Sequence, residues 1–199
     1  LPAMTCRGML VNGLGRRFIN EDVYPGLFSH AALRQPGPCW VILDEQGLDD
    51  VPPRDLWGVR PTHGAETLAE LESDLGLPAG SLEETVATYN RHAEASADLL
   101  FGKNPKWLRP LEAPFAAVDP TYGFGGSATP VGTGFSGFTL GGLRTTVDGE
   151  VCSVAGPVIE GLYAAGRATS GIHGEGYVSG TSLGDGTFFG RRAGRAAAR

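Results

Sequence analysis

Residues 161–199 read GLYAAGRATSGIHGEGYVSGTSLGDGTFFGRRAGRAAAR. The run opens with a short apolar segment, residues 162–165, suited to a buried strand. A loop over 166–184 then holds Gly166, Gly171, Gly174, Gly176, Gly180 and Gly184. Glycine at that density weakens helices and strands, so it calls for another use. One such use is close approach of bare backbone to a flat ligand. A helix is expected from about 182–185 to the end, with Arg191, Arg192 and Arg195 near its C-terminus, where positive charge suits the dipole. Its first amides lack partners inside the helix, and with the positive dipole end they form an anion site.

GLYAAG, the glycine loop, GTSLG and FGRRAG together resemble the C-terminal signature of one FAD-dependent superfamily. Its members include fumarate reductases, succinate dehydrogenases and 3-ketosteroid Δ1-dehydrogenases. Residues 7–21, RGMLVNGLGRRFINE, resemble the G-x-x-V-N-x-x-G-x-R-F-x-N-E stretch of the same superfamily, and residues 138–149, FTLGGLRTTVDG, form a third match in family order. The resemblance implies FAD as cofactor and a mixed α+β and α/β architecture, the C-terminal part of a two-domain flavoprotein. Residues 1–137 would then be a portion of an α+β substrate cap. Residues 138–199 would return strand, loop and helix to the FAD-binding domain and close over the isoalloxazine ring.

The dinucleotide fingerprint expected of such a protein is not in this chain. Gly132, Gly134 and Gly137 match G-x-G-x-x-G by letter, but Pro130 interrupts the run before them and Gly141–Gly142 follow where a helix should continue. The expectation is a C-terminal portion of a longer flavoenzyme whose N-terminal βαβ unit, holding the ADP half of FAD, would precede Leu1.

Composition restricts the function classes. A net charge of −6, a pI near 5.2 and the lack of a basic stripe argue against a nucleic-acid partner. No apolar run approaches the roughly 20 residues of a membrane span, and the first residues do not have the charged-then-apolar pattern expected of a leader. Three scattered cysteines, Cys6, Cys39 and Cys152, suit buried free thiols in a reducing compartment, so a cytoplasmic location is expected. No His, Cys or carboxylate cluster has metal-ligand spacing.

Local patterns set further expectations. Residues 1–21 suggest a β-hairpin with its turn at Asn12-Gly13, and 38–44 a buried strand. Residues 45–64 and the proline-rich 98–120 read as irregular, the latter with Trp107, Leu111 and Phe115 as anchors. Leu68, Leu71 and Leu75 mark a helix over 65–75 ending at Gly76. Leu82, Val86, Tyr89 and Ala93 mark another over 81–95, with a capping box at Ser81–Glu84 and His92 beside its apolar face. Asp148-Gly149 predicts a type I′ hairpin turn within 144–152.

The resemblance assigns candidate sites by position. Backbone and side chains of Ala165, Gly166, Arg167, Gly180, Thr181, Ser182 and Leu183 would hold FAD, Arg167 standing where many relatives have glutamate. Tyr177 stands where fumarate reductases place a substrate-clamping arginine. A phenol cannot give a dicarboxylate a bidentate, charged contact, but it donates one hydrogen bond to a ketone. Ketosteroid dehydrogenases use a tyrosine and a glycine amide here, which gives Tyr177 and Gly180 the role of polarising a carbonyl. Tyr24 lies within one position of the family's proton-transfer residue. The substrate implied is a small hydrophobic ketone dehydrogenated at the neighbouring carbon–carbon bond. A fumarate-reductase-like enoate reductase and a truncated, non-catalytic flavoprotein fragment remain alternatives.

Two carboxylates in the same stretch have plainer readings: Glu175 as a solvated loop residue, Asp185 as a partner of the helix dipole. The helix start would also favour the reduced flavin, raising its potential by roughly 10–40 mV if the dipole contributes about 0.3–2 kcal/mol. GTSLG also fits G-x-S-x-G, yet all four histidines precede Ser182, against the Ser–acid–His order of α/β-hydrolases.

Overall fold

The computed structural model describes residues 3–53, 60–120, 140–173 and 177–199. Most of the glycine stretch 121–142, the 132–137 motif and Glu175 lie outside these residues. The chain divides into two compact units, Leu1–Gly137 and Phe138–Arg199.

In the first unit an antiparallel sheet runs in the order β1 (Met9–Val11), β2 (Trp40–Asp44), β4 (Phe115–Val118), β3 (His63–Ala65). The period-two alternation of its side chains builds two cores. Met9, Val11, Ile42 and Ala117 face one way, against Leu71 and Leu75 of α4 (Leu68–Leu75) and Leu82, Val86 and Tyr89 of α5 (Ser81–Glu94). Leu10, Val41, Leu43 and Val118 face the other way, with Met4 of α1 (Ala3–Arg7) and Phe28 of α2 (Pro25–Ala32). The sheet is therefore covered on both faces: β1 and most of β2 are buried, while the edge strand β3 is half-buried to exposed.

Several expectations shift here. The N-terminal hairpin is reduced to β1 and a single bridge from Val11 to Arg17 beyond the turn, and residues 3–7 coil into α1. Residues 45–64 contain α3 (Glu45–Asp49), capped by Asp44 accepting from the Gly47 amide at 2.7 Å, and β3. The proline-rich connector supplies β4, an interior strand. Pro114 and Pro120 bracket it and leave its own amides available to both neighbours.

The capping box sits one helix earlier than the sequence suggests. Thr67 and Glu70 form it at α4, which ends at Gly76 in the left-handed region. At α5 the N-cap is Gly80, also left-handed, and no side chain of its own caps it. Glu72 of α4 does that work from outside: its buried carboxylate accepts from the amides of Gly80, Leu82 and Glu83. Glu72→Ala removes an acceptor from three amides of one helix start. The expected loss is about 1–3 kcal/mol, read as a lower urea midpoint by tryptophan emission.

The second unit pairs β5 (Glu150–Cys152) with β6 (Val158–Tyr163) and lays α6 (Thr181–Ala197) alongside. The buried strand expected over 162–165 is instead β6, which ends at Tyr163 and whose residues are mostly exposed. Among the described residues its strand partner is β5 alone. The hairpin turn is present, but only Gly149 has positive φ, +84°, and its amide bonds to Thr146 O. It is a three-residue loop ending in a left-handed glycine, since Asp148 does not adopt the positive φ of a type I′ turn. A Cβ at Gly149 would lie 2.5 Å from Ala193 Cβ of α6. Gly149→Ala therefore adds backbone strain and a clash, about 2–4 kcal/mol together. The expected signature is faster amide exchange in α6 and β5.

Candidate active site

In the second unit, Ala165 is extended and leads into a 3₁₀ turn, Gly166–Ala168. Gly166 has φ +64°, and a Cβ there would stand 3.2 Å from the Gly186 Cα, so glycine permits the turn to lie against α6. Thr169 closes the turn, its hydroxyl donating to Gly166 O at 2.8 Å. Arg167 is half-buried on the turn.

Gly180, at φ +91°, is the N-cap of α6, and no side chain caps the helix. The three amides expected to be free are only partly so. Thr181 N bonds to Val178 O and Leu183 N to Gly180 O, both at 3.2 Å. Of the three, Ser182 N is the one given no carbonyl partner among the described residues. The helix start is tightened into a turn, yet its positive end stays uncovered by any carboxylate cap.

His173 organises this start. It is 8% exposed, and its Nδ1 lies 3.2 Å from Thr181 Oγ1. The Thr181 hydroxyl spends its proton on Val178 O. It must therefore accept from His173 Nδ1–H, which leaves Nε2 as the acceptor for the Ser182 hydroxyl at 3.5 Å. The Tyr177 ring packs on the same imidazole, with centroids 5.2 Å apart and planes at 38°. Tyr177, Gly180, Thr181 and Ser182 are thus brought together around a histidine that the sequence reading left without a role. The signal for it was the spacing of eight and nine residues from His173 to Thr181 and Ser182 across a glycine loop.

The Ser182–His173 contact is not a hydrolase triad. The imidazole's other nitrogen meets a hydroxyl, and a triad needs a carboxylate there.

Tyr24 belongs to the first unit, where it is 37% exposed at the start of α2 and its carbonyl accepts from Leu27 and Phe28. The segment before it is anchored by a buried ion cluster. Arg17 forks onto both oxygens of Glu21 at 2.8 Å and onto Asp98 at 3.2 and 2.9 Å. Its guanidinium lies over the rings of Tyr89 and Phe101 at 5.0 and 4.9 Å. Lys103, fully buried, donates to Gly8 O and Tyr89 Oη and stands 3.6 Å from Glu21. Burial works against ionisation of Asp98, but hydrogen bonds from Arg17 and nearby amides outweigh it and hold the carboxyl well below the usual range. Burial likewise pushes the Lys103 ammonium's pKa down, opposed by Glu21. Asn20 and Asp22 then tie the segment to residues 102 and 104.

Among the described residues, no group of three or more His, Cys, Asp or Glu could hold a metal ion, and no helix is long and apolar enough to cross a membrane.

Residues 5–183 match the model of the family described as FAD binding domain. The chain belongs to that family. Within it, the chain is 46% identical to a 3-ketosteroid Δ4-(5α)-dehydrogenase from Rhodococcus jostii, solved in complex with 4-androstene-3,17-dione. That match covers 100% of this chain and 40% of the other, with a TM-score of 0.84. A 3-ketosteroid Δ1-dehydrogenase from Sterolibacterium denitrificans is 27% identical, covering 100% of this chain and 40% of that one at a TM-score of 0.70. A probable fumarate reductase of Shewanella frigidimarina is 30% identical over 100% of this chain and 33% of its own length. The chain thus spans about a third of the length of the curated relatives it matches.

The residues present fit a flavin. An uncapped helix start suits the electron-rich pyrimidine edge of a reduced ring. Left-handed Gly180 leaves the helix start open, with nothing within 4 Å of where its Cβ would be. Ala165–Arg167 and Gly180–Leu183 are the residues that could hold an FAD, which would supply the hydride acceptor.

Proposed function

We propose that this chain is part of an FAD-dependent dehydrogenase that removes hydrogen across the carbon–carbon bond beside a ketone of a hydrophobic, steroid-like substrate. Residues 1–137 serve as substrate cap and 138–199 as the returning part of the FAD-binding domain. The observation that carries the reading is Tyr177, a neutral donor packed on buried His173 three residues before the uncapped start of α6. Between Arg167 and Arg191 the sequence has no lysine or arginine. A dicarboxylate such as fumarate would find no cation on this loop to clamp it, whereas a ketone needs only a neutral donor. The 46% identity to a ketosteroid dehydrogenase, against 30–33% to fumarate reductases, supports the same choice.

In the reaction, the Tyr177 hydroxyl and the Gly180 amide donate to the ketone oxygen, drawing electron density from the adjacent C–H. Tyr24, acting as its phenolate, would take up that proton and become the neutral phenol. Bound FAD would supply the acceptor for the hydride that must leave the next carbon as the double bond forms. The Tyr177 ring is fixed by His173, so the donor is held in place before substrate arrives.

The test compares two reactions of the flavin-loaded protein that contains this chain. With an artificial electron acceptor, saturated 3-ketosteroids should be dehydrogenated. With a reduced dye, fumarate should not be reduced. Fumarate reduction that survives Tyr177→Phe would sink the reading. Chromatography of the steroid product, Δ1 or Δ4, identifies the bond.

A further inference from the structure

Asp185 is a carboxylate only 2% exposed, in the second turn of α6. Among the described residues its Oδ2 is buried without a hydrogen-bond partner. Buried carboxylates without partners are rare, because losing water without replacement is costly. The oxygen points at Gly171: a Cβ built there would meet it at 2.9 Å, and Thr169 Oγ1 at 3.4 Å. Gly171, at φ +50°, thus leaves this oxygen room that any other residue would fill. The same carboxylate lines a cleft of about 170 Å³ with Ala164, Ala165, Thr169, Ser170 and Gly171.

We propose that Asp185 binds the polyol chain of the flavin, its carboxylate accepting from a ribityl hydroxyl in the cleft beside Gly171. This rests on the reading of the chain as flavin-binding. The position suits the chemistry. Asp185 is three residues beyond Ser182, about 4.5 Å along the helix axis. A ring seated at the start of α6 would therefore lead its side chain past this carboxylate. The helix dipole already stabilises a negative charge in these first turns, so no cationic partner is required and a neutral hydroxyl suffices. The hydroxyls of Thr169 and Ser170 on the cleft wall suit a polyol and would do nothing for an apolar ligand.

The experiment titrates the full chain with riboflavin and with lumiflavin, which has the same ring and no ribityl chain, following quenching of flavin fluorescence. Wild type is expected to bind riboflavin at least tenfold more tightly. In Asp185→Ala and the isosteric Asp185→Asn, riboflavin affinity should fall roughly ten- to a hundredfold, to the lumiflavin level, with lumiflavin unchanged. Gly171→Ala, which leaves the carboxylate intact but places a methyl against it, should weaken riboflavin selectively as well. Far-UV circular dichroism checks folding, and if Asp185→Ala unfolds, the other two variants decide. Equal affinity of wild type for the two flavins, or equal weakening of both by the variants, overturns the role of Asp185 while leaving the flavin site standing. Binding of neither flavin by wild type removes both.

Discussion

Arg17→Ala is expected to destabilise the first unit by about 3–5 kcal/mol, the usual result of stripping a partner from buried charges. The side chains of Glu21 and Asp98 are 0% exposed, and Arg17 reaches all four of their oxygens. Without it, Lys103 stands 3.6 Å from Glu21, but Asp98 keeps only amides and the His92 imidazole at 3.3 Å. A chain of this length loses roughly 2–4 °C per kcal/mol, so the melting point should drop by about 6–20 °C. All three tryptophans, Trp40, Trp57 and Trp107, lie in this unit, so their emission reports its unfolding separately. Arg17→Lys should recover only part of the loss, because one ammonium cannot fork onto two carboxylates.

The same residue sets the acid limit. Asp98 has its folded pKa depressed below the unfolded value near 4. A depressed acid contributes stability that is complete above the unfolded pKa and is lost as pH falls through the folded one. Wild type should therefore lose stability progressively below about pH 4, and Asp44, held low by Arg109 against its own burial, adds to the slope. In Arg17→Ala much of the Asp98 contribution is already gone, and the curve from pH 7 to 3 should be flatter. A variant that melts within a degree or two of wild type would show that the cluster contributes nothing net.

What the sequence made legible follows the range of the interactions. α4 and α5 were readable because their apolar spacing is local, and Leu71, Leu75, Leu82, Val86 and Tyr89 are all buried as that spacing requires. β4 was not, because four prolines across 98–120 outweighed the short apolar run Phe115–Val118, whose strand character comes from pairing with β2 and β3. Ser81–Glu84 has the letters of a capping box, but Gly80 and the carboxylate of Glu72 supply the cap from a different helix. The Arg17 cluster joins residues more than eighty positions apart, which no local pattern encodes. At the candidate site, glycine density announced the loop that leads to an uncapped helix start at Gly180. The burial of His173 and Asp185 was hidden, since nothing local gave the loop histidine a role and the helix dipole alone accounted for the aspartate.

Tyr177→Phe is expected to reduce ketone dehydrogenation by the flavin-loaded protein about 10²–10³-fold, the usual cost of one donor aimed at a developing oxyanion. The substitution removes one oxygen and keeps the ring against His173, 5.2 Å between centroids, so folding and flavin affinity should be unchanged. The loss should fall on kcat more than on KM. A hydrogen bond to the ketone strengthens as the α-proton leaves and negative charge gathers on oxygen, whereas the ground-state steroid is held by its apolar surface. Substrate deuterated at the α-carbon separates this from a packing effect. If Tyr177 acts on that oxygen, the isotope effect on turnover should grow in Tyr177→Phe, because proton removal becomes more strongly limiting. Mutating the imidazole beneath it offers the contrasting case. His173→Ala releases the ring and both hydroxyls of Thr181 and Ser182 at once. It should therefore weaken flavin binding as well as turnover, where Tyr177→Phe weakens turnover alone. Parallel losses in the two variants would assign Tyr177 to packing, and the polarising donor would have to be sought in the Gly180 amide.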